Sequence, residues 1–92
     1  MATLSAAEVS ERLHHLEGWK VEGQALVKQY TFAGFPEAVR FVARLVPAAE
    51  AADHHPDITI NYKRVTLSYS THSEGGLTAK DFDGAAAADQ CV

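Results

Sequence analysis

Residues 50–81 read EAADHHPDITINYKRVTLSYSTHSEGGLTAKD and contain most of the features around which the chain is organised. Apolar and polar residues alternate over 58–62 and again over 65–70, with Tyr62-Lys63-Arg64 as the turn between them. Alternation with a period of two predicts two half-buried strands. The second strand places hydroxyl groups on its other face, at Thr66, Ser68 and Ser70.

Three of the five histidines lie at the ends of these strands: His54 and His55 before the first, and His72 just past the second. In a hairpin, the start of one strand and the end of the next lie at the same edge of the sheet, so the three rings can converge. Histidine gives and takes protons near neutral pH. The arrangement therefore predicts a pocket for proton transfer.

A long helix, the main one of the chain, is predicted before the hairpin, over about 36–53. Its inner face is predicted to comprise apolar residues spaced by four and three, with Phe35 and Val39 alongside them: Ala38, Val42, Leu45, Ala49 and Ala52. Phe41 and Ala48 point towards another side, which we expect to meet a partner chain. Pro47 is expected to kink the helix without breaking it, because the apolar spacing stays in phase on both sides.

The end of this helix sets the position of the first two histidines. Pro56 biases the preceding residue away from helical angles, so His54 is predicted to be the last helical residue and His55 to be extended. Glu50 and His54 would then share a helix face and form a hydrogen bond.

The remaining elements complete an α+β domain. Ser5 and Glu8 form a capping-box pattern before a helix predicted over 6–16, which Gly18 ends. Two strands are predicted over 19–21 and 25–33. Thr78 and Asp81 form a second capping box before a last helix, which packs through Phe82, Ala85 and Ala86. The order α-β-β-α-β-β-α predicts a four-stranded antiparallel sheet with three helices on one face.

Size and composition restrict the functional classes. A chain of 92 residues is expected to form one domain, residues 1–92, with a thin core, so association into a homo-oligomer is expected. A net charge of −4 argues against nucleic-acid binding. The chain lacks the ~20 consecutive apolar residues of a membrane span. The single cysteine, Cys91, excludes an intrachain disulfide, and the cytoplasm is the expected location.

Other chemistries are less favoured. A metal site would need ligand spacings that do not accompany the adjacent histidines. Cys91 lies in a terminal tail and is a poor nucleophile candidate. Asp81 has a plain structural interpretation as a capping-box acid, and Trp19, Tyr62 and Tyr69 are more typical of core or rim positions than of functional ones.

The histidines and their neighbours also resemble the signature of the pterin-4a-carbinolamine dehydratases, which in this sequence reads Glu50-x₃-His54-His55-Pro56-x₅-Tyr62-x₉-His72-x₈-Asp81. The resemblance implies dehydration of 4a-hydroxytetrahydropterin, the product that an aromatic amino acid hydroxylase releases. Loss of water from C4a, with loss of the N5 proton, gives quinonoid dihydropterin. This reaction needs an acid and a base but no metal or bound cofactor.

The resemblance also implies roles for individual residues. His54 and His72 would be the acid–base pair, with their order open, and His55 would contact the substrate. Asp81 would orient or charge-balance His72 and Glu50 would support His54, while Trp19 is a weaker candidate for lining the pterin pocket.

An alternative follows from the same family, whose members include partner-binding proteins. The chain would then be a non-catalytic dimerisation cofactor or assembly factor on the same fold. A dimer or a tetramer is compatible with either function.

Overall fold

The computed structural model describes residues 3–92, which form one antiparallel sheet and three helices. The elements in chain order are α1 (Ala6–Leu13), β1 (Lys20–Glu22), β2 (Ala25–Thr31), α2 (Phe35–Ala52), β3 (Asp57–Asn61), β4 (Arg64–Tyr69), a short 3₁₀ turn (His72–Glu74) and α3 (Ala79–Gln90). The strands lie in the order β1-β2-β4-β3, and each neighbouring pair is antiparallel. This confirms the predicted fold class and element order.

The core lies between the central strands and the helices. Alternate residues of β2 and β4 are buried on one face of the sheet: Leu26, Tyr30, Val65, Leu67 and Tyr69. In an antiparallel pair, directly opposed residues share a face, and the register pairs Leu26 with Tyr69 and Tyr30 with Val65. The helices cover this face and leave the hydroxyl-bearing face of β4 free of them.

Helix α2 contributes Ala38, Phe41, Leu45 and Ala49 to the core. The prediction that Phe41 faces a second side is therefore wrong, because the helix is rotated so that Phe41 packs against the rings of Tyr30 and Phe32. The helix continues through Pro47 without a break.

Helix α2 ends earlier than predicted. Asp53 adopts a left-handed conformation (φ 51°, ψ 42°), its N–H donates to Glu50 O, and His54 N–H donates to Ala49 O. These two bonds form a Schellman-type helix end. Asp is among the few residues that tolerate this conformation, and it places His54 outside the helix, against prediction.

Helix α1 also ends early, at Leu13 rather than at residue 16, and the chain then makes two turns up to Gly18. The Ser5–Glu8 capping box is present as predicted. Val9, Leu13 and Leu16 are partly buried against the core.

Strand β3 lies at the edge of the sheet. The prediction that one face of this strand is buried is wrong for a single copy of the chain. Ile58 and Ile60 are 40% and 38% exposed although they are paired with the buried residues Leu67 and Val65. Helix α2 has its own exposed apolar stripe, comprising Phe35, Val39 and Val46. Among residues 3–92 no helix is both long enough and apolar enough to cross a bilayer.

Candidate active site

Asp81 is the buried centre of the candidate site. It lies in the first turn of α3, where its Oδ2 accepts the Thr78 backbone N–H at 2.9 Å, the contact expected from the capping-box pattern. The same oxygen accepts the Thr71 hydroxyl at 2.9 Å. Asp81 is fully buried, and a buried carboxylate requires such donors.

The second oxygen of Asp81 binds His54. Asp81 Oδ1 lies 2.6 Å from His54 Nε2, and only 12% of the His54 side chain is exposed. A carboxylate can only accept, so His54 Nε2 carries the hydrogen. In the neutral ring, Nδ1 is then the nitrogen that can accept a further proton. The predicted pairing of Asp81 with His72 is therefore wrong, because α3 begins beside the end of α2.

Glu50 is likewise paired differently from the prediction. Its Oε2 lies 2.6 Å from His55 Nε2, and both side chains are more than half exposed. The predicted Glu50–His54 bond requires the helix to continue to His54, but the left-handed Asp53 turns the chain one residue earlier. Glu50 consequently supports the neighbouring ring.

His72 lies outside this buried cluster. It opens the 3₁₀ turn after β4, and its Nε2 lies 3.1 Å from Ser70 Oγ. The ring is exposed and lines an open cavity of about 250 Å³, whose walls also include Gln24, Asp57, Ser68, Ser70 and Thr71. The prediction that His72 aligns with the hydroxyl-bearing face of β4 agrees with this contact.

The three histidines thus lie at one end of the β3–β4 hairpin but have different partners: Asp81, Glu50 and Ser70. His54 lines a separate cavity of about 60 Å³ between α2 and α3. Thr71 lines the cavity beside His72 and donates to Asp81, which also binds His54. The expectation of a single pocket is therefore replaced by two cavities, with His72 on one and His54 on the other, whose lining residues are connected by hydrogen bonds to Asp81.

Three residues of this region were not identified as site residues from the sequence. Ser70 and Thr71 immediately precede His72 in the hydroxyl-bearing strand, which is a usable signal. Asp57 is opposite Ser68 in the β3–β4 register. Continuing this register by two residues would place His55 opposite Ser70, the partner of His72.

Trp19 lies in the core rather than at the surface. It is 5% exposed, packs against Tyr30 and Tyr69, and donates its ring N–H to Asp89. Its predicted contact with a substrate stays a prediction, and its burial favours a supporting role. Asp89 also binds Lys28 Nζ and accepts the Tyr30 hydroxyl.

Tyr69 connects this cluster to the site. Its ring is stacked near that of His54, with centroids 6.0 Å apart and an interplanar angle of 27°. Burial raises the pKa of Tyr69 to about 12, with the nearby acidic groups adding to the effect. The phenol is therefore uncharged at neutral pH.

The described part of the chain offers no group of three His, Cys, Asp or Glu side chains arranged to hold a metal ion. What the site does offer is an oriented imidazole on a buried carboxylate and a second imidazole beside hydroxyl groups. Such groups suit the transfer of protons to and from a polar molecule in the adjoining cavity.

Comparisons with known proteins find a matching family model and similar relatives. The family model for pterin 4 alpha carbinolamine dehydratase matches residues 2–91. A protein of Roseiflexus castenholzii, provisionally named pterin-4-alpha-carbinolamine dehydratase, is 50% identical over 99% of this chain and 98% of its own length. One of Sulfolobus acidocaldarius with the same provisional name is 48% identical over 87% of this chain and 88% of its own length.

Two solved structures are also similar. A transcriptional coactivator/pterin dehydratase from Brucella melitensis has a TM-score of 0.91 and 35% identity, over 97% of each chain. A pterin dehydratase-like protein described as a RuBisCO assembly factor in the alpha-carboxysome has a TM-score of 0.65 and 20% identity, over 85% of this chain and 90% of its own. The second likeness shows the fold alone.

Proposed function

The chain belongs to the pterin 4 alpha carbinolamine dehydratase family, and we propose that it dehydrates 4a-hydroxytetrahydropterin to quinonoid dihydropterin. In this reaction the C4a–OH bond breaks, the departing hydroxyl takes a proton, and N5 loses a proton, so that one water leaves. The reaction would be one step in recycling the pterin that an aromatic amino acid hydroxylase uses, and a separate reduction would have to return the quinonoid product to the tetrahydropterin.

The observation that carries the proposal is the His54–Asp81 contact of 2.6 Å at a fully buried carboxylate. A carboxylate fixed by two other donors holds the imidazole in one tautomer and one orientation. His54 then exchanges protons through Nδ1. His72 is the second proton-transfer group, and the two histidines divide the acid and base roles.

The remaining site residues have binding roles in this proposal. His55 contacts the substrate, and Glu50 holds its ring through the 2.6 Å bond. Asp81 orients His54. The cavity beside His72 has hydroxyl and carboxylate groups suited to the polar edge of a pterin.

The test is the rate of dehydration of synthetic 4a-carbinolamine. His54→Gln and His72→Gln should each lower kcat by about 10²–10⁴-fold, the usual contribution of a positioned acid or base. His15→Gln is the matched control, because His15 is an exposed histidine on the loop after α1. A wild-type protein that does not exceed the uncatalysed rate, or site variants that match the control, would contradict the proposal.

We also propose that the chain associates with copies of itself through the exposed stripe of α2. Phe35, Val39 and Val46 are 52%, 41% and 53% exposed, and a contiguous apolar helix face of this kind marks an interaction surface. The same surface would serve a non-catalytic binding module, which is the alternative function.

Sedimentation of variants separates these possibilities. Val46→Lys should lower the oligomeric state, whereas Ala51→Lys, elsewhere on the same helix, should not. A wild-type chain that sediments as a monomer contradicts self-association. A dehydratase-inactive protein that still oligomerises supports the binding-module alternative.

A further inference from the structure

Gly84 is an unexpected residue at its position in α3. It lies inside the helix Ala79–Gln90, directly before four alanines. Glycine is much less favourable than alanine in a helix interior because it loses more backbone freedom on folding. A glycine at this position therefore needs a local reason.

The reason is the ring of Tyr69. A Cβ atom added at Gly84 would lie 2.5 Å from Tyr69 Cε1 and 3.0 Å from its Cδ1 and Cζ. Carbon atoms in good contact are about 3.5–4.0 Å apart, so alanine at this position would displace the ring. The missing side chain at Gly84 is what lets Tyr69 lie against α3.

Such a displacement would move the Tyr69 ring relative to its neighbours Trp19 and His54. Tyr69 is almost completely buried, and its ring packs against Trp19 on one side, with centroids 5.9 Å apart, and near His54 on the other. Tyr69, Gly84 and His54 line the same cavity of about 60 Å³. Movement of the phenol ring would therefore be transmitted to the imidazole.

We propose that Tyr69, seated on Gly84, is a positioning residue that holds the His54 ring in the orientation required for its bond to Asp81. His54 is then fixed from two elements, by the Asp81 carboxylate of α3 and by the Tyr69 ring of β4. Asp83 of α3 lines the same cavity as His54 and is the other charged group facing it from that helix. Since the phenol is neutral, its effect on His54 is exerted through packing. The inference depends on the proposed function only for the consequence in catalysis.

The experiment uses Gly84→Ala, Tyr69→Leu and the double variant, with kcat and KM for the carbinolamine as one readout. Gly84→Ala should lower kcat by about 10²-fold with KM little changed, the scale expected for misplacing a catalytic group by about 1 Å. The double variant should be much less impaired than the product of the two single effects, because the added methyl group has no ring to meet.

Two further variants separate packing from other causes. Tyr69→Phe keeps the ring and should retain near wild-type kcat. Ala86→Gly lowers the helix propensity of α3 at an exposed position and should also retain near wild-type kcat. A Phe variant as impaired as the Leu variant would assign the effect to the hydroxyl group and overturn the proposal.

A second readout does not depend on activity. The His54 ring proton resonances, assigned by their loss in His54→Gln, should shift in Gly84→Ala and Tyr69→Leu but not in Ala86→Gly. Unchanged resonances in Gly84→Ala, or strictly multiplicative kinetic effects in the double variant, would overturn the proposal. A wild-type protein without dehydratase activity would instead refute the proposed function, and the resonances would still decide whether Tyr69 positions His54.

Discussion

Replacing Asp81 by Asn changes the charge of the site with little change in shape. In the native site, Oδ2 accepts two donors, Thr78 N–H and the Thr71 hydroxyl, and Oδ1 accepts His54 Nε2–H. The side chain of asparagine has a single oxygen atom. We expect this oxygen to occupy the Oδ2 position, because two donors bind there. Its NH₂ group then faces His54 Nε2–H, and two hydrogen-bond donors cannot bond to each other. The imidazole must switch tautomer or leave the bond.

The expected magnitudes follow from these contacts. Loss of the one bond between the carboxylate and the imidazole should destabilise the fold by about 1–3 kcal/mol. A domain of 92 residues has about 5–14 kcal/mol of stability in total, so the variant remains folded. Asp81→Ala would leave all three donors unpaired and cost about 3–5 kcal/mol, which makes it the poorer test. With His54 in the wrong tautomer, kcat should fall by about 10²–10⁴-fold.

The assay is stopped-flow dehydration of the 4a-carbinolamine at neutral pH, with the free energy of unfolding measured by denaturant on the same samples. Glu17→Gln is the matched control, since it removes an exposed carboxylate from the loop after α1, away from the site. Asp81→Asn with kcat within threefold of wild type, or an equal loss in Glu17→Gln, would refute the role given to the buried carboxylate.

Three further predictions concern the stability of the fold. Burial raises the pKa of Tyr69 to about 12 from an ordinary value of 10.0, so the unfolded chain loses its phenolic proton first. The contribution of Tyr69 to the free energy of unfolding should be unchanged below pH 10 and should be lost as the pH rises towards 12. In denaturant titrations, Tyr69→Phe should reduce this loss, whereas Tyr62→Phe, at an exposed tyrosine, should not. Asp89→Asn removes the carboxylate that binds the Trp19 ring N–H and should lower the free energy of unfolding by about 1–3 kcal/mol, measured by the same titration; an unchanged value would contradict the packing role of this cluster. Ser5→Ala removes the acceptor for the Glu8 N–H and should cost about 1 kcal/mol by thermal unfolding, and a neutral outcome would show that the α1 cap is not stabilising.

The elements of the fold were predictable because each depends on a local pattern. The alternation in β4 and the two capping boxes describe short-range geometry, and the structure contains them. The burial of Phe41 and the exposure of Ile58 were not predictable in the same way. Both depend on which neighbour covers a residue, and this is decided by the rotation of α2 and by the edge position of β3.

The candidate site, like the fold, could be predicted from the sequence only in part. The sequence predicts His54, His72 and Asp81 as site residues, but the pairing of Asp81 with His72 that the family resemblance implies is wrong. That error concerns the packing of α3 beside the end of α2, which no local pattern describes. The left-handed Asp53, which ends α2 two residues before the predicted end, accounts for the second error, because it pairs Glu50 with His55 rather than with His54. The packing of Tyr69 on Gly84 has no sequence pattern at all, because the two residues meet only when α3 packs on β4.

The central claim, that a pterin binds in the cavity beside His72, at the end of the hairpin where all three histidines lie, can be measured on the ring resonances of the five histidines of the chain. Titration with an oxidised pterin should shift the signals of His54, His55 and His72 with one common dissociation constant. His14 and His15, just past α1, serve as internal controls and should not move. Shifts confined to these two, or none at any histidine at millimolar pterin, would contradict the account.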